Sequence, residues 1–81
     1  MKIPEEIISL IPKNVHFRNY VDLLEIYNID GEKVLKLVVV KFRNKYTLYY
    51  HGNEVHSSKL LKEVLLVAFE LIKNNFSSHS H

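Results

Sequence analysis

The stretch from Lys41 to Tyr50, KFRNKYTLYY, interleaves the cations Lys41, Arg43 and Lys45 with Phe42, Tyr46, Tyr49 and Tyr50. Cations neutralise phosphates and aromatic faces stack on bases, which is the composition that single-stranded nucleic-acid surfaces use. An acidic protein surface satisfies the same cations, and a solvated hairpin with packed tyrosines has the same make-up. A second candidate lies at Ser57, Ser58, Lys59 and Lys62, where a long helix is expected to start. Lysines in a first helical turn oppose the dipole by about 0.3–1 kcal/mol each. An anion bound at the free N–H groups would make sense of that placement, although exposed lysines also tolerate it.

Other chemistry finds little support. His51, Glu54 and His56 flank Gly52-Asn53, but a tight turn sends neighbouring strand positions to opposite faces, so no metal site is expected. Cysteine is absent, which removes disulfides and thiolate ligands and fits a reducing compartment. Ser9, Ser57 and Ser58 have no base oriented beside them, and Glu5-Glu6 occupy a first helical turn where acids belong. Both glycines fall in turns, leaving no loop to cradle a phosphate. The expectation is a protein that is not an enzyme and carries no cofactor.

The elements that must position these residues follow from pattern. Pro4-Glu5-Glu6 opens a short helix with Ile3, Ile7, Ile8, Leu10 and Ile11 as its apolar face, and Pro12 ends it. Phe17 to Ile29 reads as one strand whose alternation slips near Leu23-Leu24, as at a bulge. Asp30-Gly31 is a hairpin signal. Val34 to Phe42 follows, apolar on both faces. Asn44-Lys45 turns into a third strand, Tyr46 to His51, and Gly52-Asn53 turns again with a stub at Val55. Ser57 or Ser58 caps the last helix. The predicted fold is therefore α+β: a three-stranded antiparallel meander with a short N-terminal helix and a long C-terminal helix packed on the sheet, in the order α-β-β-β-α. The 81 residues suit a single domain over residues 1–76, with a disordered polar tail over 77–81.

The last helix carries more apolar surface than one small sheet covers. Counted at 100° per residue, its apolar positions span an arc of roughly 200°, twice the ordinary stripe. With thin margins and no disulfide, an 81-residue chain is expected to gain support from a second copy. The predicted interface is the helix residues Leu61, Leu65, Leu66, Phe69, Ile72 and Phe76, or the two-faced strand Val34–Phe42. A homodimer is thus expected, with a second protein partner or nucleic acid as the target and no membrane engagement; a structural subunit of a larger assembly, using both apolar surfaces, is the remaining alternative.

A meander also fixes which loops are neighbours. With three strands, Lys13, His16, Arg18, Lys41, Arg43, Lys45 and Lys73 gather at one end beside Tyr46, a basic pole hidden by a net charge of only +2. No export signal is read at the N-terminus and no apolar run approaches the roughly 20 residues that span a bilayer, so a cytoplasmic location is expected.

The α-β-β-β-α order, with lysines in the SSKLLK segment opening the last helix, resembles the double-stranded RNA-binding domain. That resemblance implies phosphate contacts at Lys59 and Lys62. This chain departs from the family in the IDGEK loop, which lacks a histidine, and in a leucine-rich last helix. The cysteine-free style rich in Lys, Ile, Val and Tyr also looks like small accessory proteins of archaeal viruses, many of which bind macromolecules.

Overall fold

Pro4 and Pro12 bracket a segment too short to sustain an α-helix, and Glu5–Leu10 closes instead into a 3-10 helix. Of its residues Ile7 alone is buried, whereas Ile8 and Leu10, expected on its apolar face, are exposed. The computed structural model describes residues 1–77, with side chains as far as Asn75. Phe76 therefore lies outside the described side chains, and the tail over residues 78–81 outside the described residues.

Five strands follow: β1 Val15–Asn19, β2 Leu23–Asp30, β3 Lys33–Phe42, β4 Lys45–Tyr50 and β5 Asn53–Ser58. They form one antiparallel meander in the order β1-β2-β3-β4-β5. The single predicted strand Phe17–Ile29 is in fact a hairpin. The chain reverses at Tyr20–Asp22, with the Tyr20 N–H donating to the Leu23 carbonyl at 2.8 Å, and Phe17 comes to lie opposite Ile26. The slip in alternation that suggested a bulge is this reversal. The stub at Val55 is a full strand, paired with β4 from Tyr46↔Ser58 to Tyr50↔Asn53.

The turns obey main-chain sterics. Arg43 and Asn44 have φ of 51° and 61°, as do His51 and Gly52 at 52° and 77°. Positive φ at both central residues gives the mirror-image turn whose twist matches a hairpin. Asn and Gly adopt it readily; Arg43 and His51 do so at a cost of about 1 kcal/mol each.

After β5 the helix α1, Leu61–Ser77, runs back along the sheet against β5, β4 and β3. It begins later than Ser57 because Ser57 and Ser58 belong to β5. Ser58 still orders the entry: its Oγ accepts from the Leu60 N–H at 3.1 Å and donates to Glu63 Oε2 at 2.5 Å. His56 Nε2 lies 3.3 Å from the other Glu63 oxygen. The Ser58 hydroxyl first, then His56, hold the Glu63 carboxyl below its ordinary value. A depressed carboxylate stabilises the fold above its unfolded value and loses that contribution as pH falls through the lowered one. Ser58→Ala is accordingly expected to destabilise the fold at neutral pH. Urea midpoints taken from pH 7 down to pH 3 should converge for the two proteins, and a constant gap would contradict this role for Glu63.

The core lies between helix and sheet. Leu24, Ile26, Leu37, Val39 and Leu48 from the strands meet Val64, Leu65, Ala68, Phe69 and Ile72 from α1, with Ile7 closing the same cluster. Met1, Ile3 and Ile11 pack against it as well. The N-terminal segment is fastened to the β1–β2 turn: the Met1 ammonium donates to the Tyr20 carbonyl at 2.7 Å and the Asn19 amide donates to the Met1 carbonyl. Five strands about 4.8 Å apart need more than one helix of about 10 Å diameter to cover one face, and this segment supplies the remainder. Asn28, polar yet buried, is satisfied by donating to the Lys13 carbonyl at 3.0 Å.

Candidate functional site

Leu61, Leu65, Phe69 and Ile72, expected at an interface, are core residues exposed by 7%, 0%, 2% and 2%. Leu66, with Val67 and Leu71, is half-buried against that core. The correction has a simple cause: a five-stranded sheet is wider than a three-stranded one and absorbs the broad apolar arc. Leu60, just ahead of the helix, stays exposed.

The uncovered apolar surface is on the other face of the sheet. Register places Leu23 beside Val40, Glu25 beside Val38, Tyr27 beside Lys36 and Ile29 beside Val34, all turned away from the helix. Val38↔Tyr49, Val40↔Thr47 and Phe42↔Lys45 continue that face into β4. Val34 is 61% exposed and Phe42 69%, whereas Val38 and Val40 are half-buried by their neighbours alone. No element among the described residues lies over them. Near β1 the face forms a hollow of about 470 Å³ lined by His16, Arg18, Tyr27, Ile29 and Val34, with Phe17 at its floor between His16 and Arg18. Both signs of charge are present: Lys36 Nζ is 3.0 Å from Glu25 Oε2, and Arg18 stands beside Glu25 in the register. The Lys36 ammonium holds the Glu25 carboxyl below its ordinary value.

The cations are redistributed by the added reversal. Lys41, Arg43 and Lys45 surround the β3–β4 turn, with the Arg43 guanidinium 5.2 Å from the Phe42 ring centre and Lys41 Nζ 5.8 Å from that of Tyr46. The Lys41 N–H donates to the Asp22 carbonyl at 2.9 Å, which brings the β1–β2 turn and Arg18 toward that end. Because Tyr46 pairs with Ser58, the strand exit carrying Ser57, Ser58, Lys59 and then Lys62 arrives there too. The two cation clusters that were separate in the sequence thus become one. Lys13 goes to the opposite end, beside Asn28. Lys73 lies late in α1, 3.9 Å from Glu70, and also leaves the pole. The Lys59 and Lys62 placement implied by the RNA-binding resemblance is therefore part of this end, while the α-β-β-β-α order that carried the resemblance is not the order observed.

The histidines go to different surroundings. The His51 ring centre is 4.1 Å from that of Tyr50 in the β4–β5 turn, whereas His56 faces Glu63 across the β5–α1 junction. No helix among the described residues is long and apolar enough to cross a membrane. Comparison with protein-family models, curated proteins and solved structures finds no match to this chain.

Proposed function

We propose that this chain is a small, non-enzymatic binding protein that closes the open face of its sheet against a second copy. The observation that carries the reading is the uncovered row Val34, Val38, Val40 and Phe42 on a ten-residue central strand. A sheet face of five strands offers on the order of 600 Å², close to the roughly 800 Å² per partner of a standard interface. The mixture of Arg18, Glu25 and Lys36 suits a two-fold, in which one patch meets itself and each sign is offered its opposite. Antiparallel stacking about Val38 brings Phe42 of one copy over Val34 and the hollow of the other, twice. A second copy that binds only the folded chain raises the melting temperature with concentration. The test is thermal unfolding over a hundredfold concentration range; a melting temperature independent of concentration would contradict the reading.

A second reading, in which nucleic acid binds the basic end, is favoured by the meeting of Arg43 and Lys45 with Lys59 and Lys62. Arg43 occupies a left-handed position where asparagine would be easier, so the cation is kept at some cost to the turn. Arg43→Asn is expected to stabilise the fold by about 0.5–1 kcal/mol. Retention on single-stranded DNA should meanwhile weaken and its salt dependence become shallower by about one unit of logarithmic slope. Unchanged retention would remove Arg43 from any such role.

A further inference from the structure

The β2–β3 hairpin is longer than the β4–β5 hairpin beside it. β3 pairs with β2 from Lys33↔Asp30 to Val40↔Leu23. Its pairing with β4, however, begins only at Val38↔Tyr49. Tyr50, the last residue of β4, stands beside Leu37, so on the β4 side no strand among the described residues accompanies Lys33–Lys36, four residues or about 13 Å of central strand. The β4–β5 turn at His51 and Gly52 stops short of them. Two cavities flank this free edge. One, of about 700 Å³, is lined by Lys33 to Lys36 and by Tyr49 to Gly52. The other, of about 290 Å³, lies on the helix side between Leu35, Leu37, Tyr50 and Leu71. Leu35, Tyr50 and Asn75 line both, so the two form one groove along the strand.

We propose that this groove takes an extended segment of a partner protein as an added strand, with apolar side chains at alternate positions and acidic ones between and beyond them. An unpaired strand edge offers main-chain donors and acceptors in a fixed row, and pockets on its two sides select alternate side chains. Leu35 shares the helix face with the smaller cavity, which Leu37 and Tyr50 close at its far end, so the residue added beside Leu35 is apolar. Lys33 is exposed, and Lys36, paired with Glu25 on the β2 side, lies on the rim, so an acidic residue beside Lys33 finds an exposed cation and one beside Lys36 shares it with Glu25. A second copy of this edge would bring two further lysines into the same short stretch, which like charge disfavours. The larger cavity shares Val34, Val38 and Tyr49 with the open face, so a bound segment and a second copy compete there, whereas the main-chain edge lies in the plane of the sheet and is read separately by its amides.

The probe is the capped peptide Val-Glu-Ile-Val-Asp, titrated into the whole chain while amide resonances and hydrogen exchange are followed. Shifts confined to this edge and the groove lining are expected, with slowed exchange at Val34 and Lys36, whose amides point away from β2. N-methylation of the peptide at the groove-facing amides removes two main-chain hydrogen bonds and should weaken binding about tenfold or more. Lys33→Glu should weaken the acidic peptide and favour one with lysine in place of aspartate. Absence of binding at millimolar peptide, or binding indifferent to N-methylation, would overturn the proposal. So would amides of Val34 and Lys36, the two that point away from β2, already protected in the free protein, whether released by dilution, which means a second copy, or by deletion of residues 78–81, which means the chain's own end.

Discussion

Phe69→Ala is expected to cost about 3–5 kcal/mol, a large part of the 5–15 kcal/mol that holds a domain of this kind together. Phe69 is 2% exposed, on the face of α1 turned to the sheet, in the cluster that contains Leu37, Val39 and Leu48. Removing its ring leaves a void that neighbours in close-packed strands fill only in part. Phe42→Ala removes the same atoms from a site that is 69% exposed, and the monomer should lose less than about 1 kcal/mol. The pair separates the two faces of the sheet. Urea unfolding at low protein concentration reads both, and equal losses would mean that the interior has been assigned to the wrong face.

Val38→Asp combined with Val40→Asp is expected to dissociate the proposed dimer while leaving the monomer folded. Both residues are half-buried on the open face, and their strand neighbours there are Glu25, Tyr49, Leu23 and Thr47 rather than core residues. In the monomer the new carboxylates keep access to water. In a face-to-face dimer they would be buried together, unpaired and of like sign, which weakens association by about 4 kcal/mol or more, a thousandfold in dissociation constant. Circular dichroism should report an unchanged monomer while sedimentation reports half the mass. A variant that unfolds would instead show that these valines support the chain itself.

The sequence made some of this legible for physical reasons that can be named. Asp30-Gly31 and Gly52 marked two turns because both glycines sit at positive φ, 62° and 77°, where side chains are disfavoured. The apolar run Val34–Phe42 announced a central strand with two apolar faces, and β3 is that strand. The Tyr20–Asp22 turn carried no Gly or Pro, so its change of parity resembled a bulge. β5, NEVHSS, escaped as a strand because an edge strand is solvated and carries little apolar alternation.

Those two omissions propagated to the candidate sites. Cations close in sequence, Lys41, Arg43 and Lys45, stayed together, since a hairpin turn holds them whatever the count of strands. Lys13 and Lys73 moved to the far end, since one extra reversal upstream of β2 exchanges the ends of β1 and one extra strand after β4 exchanges the ends of α1. The surplus of apolar surface was visible in composition, but its address depended on sheet width, and five strands draw the helix inward and leave the opposite face bare.

The solution mass of the purified chain, followed by light scattering through a dilution series at low and moderate salt, tests the central claim most directly. Closure of the open face by a second copy predicts twice the chain mass of 9.6 kDa, falling toward the single mass only on strong dilution and changing little with salt, because the contact is mainly apolar. A single-chain mass at every concentration would contradict it, and would mean that Val34, Val38, Val40 and Phe42 remain open to solvent in the protein as it exists.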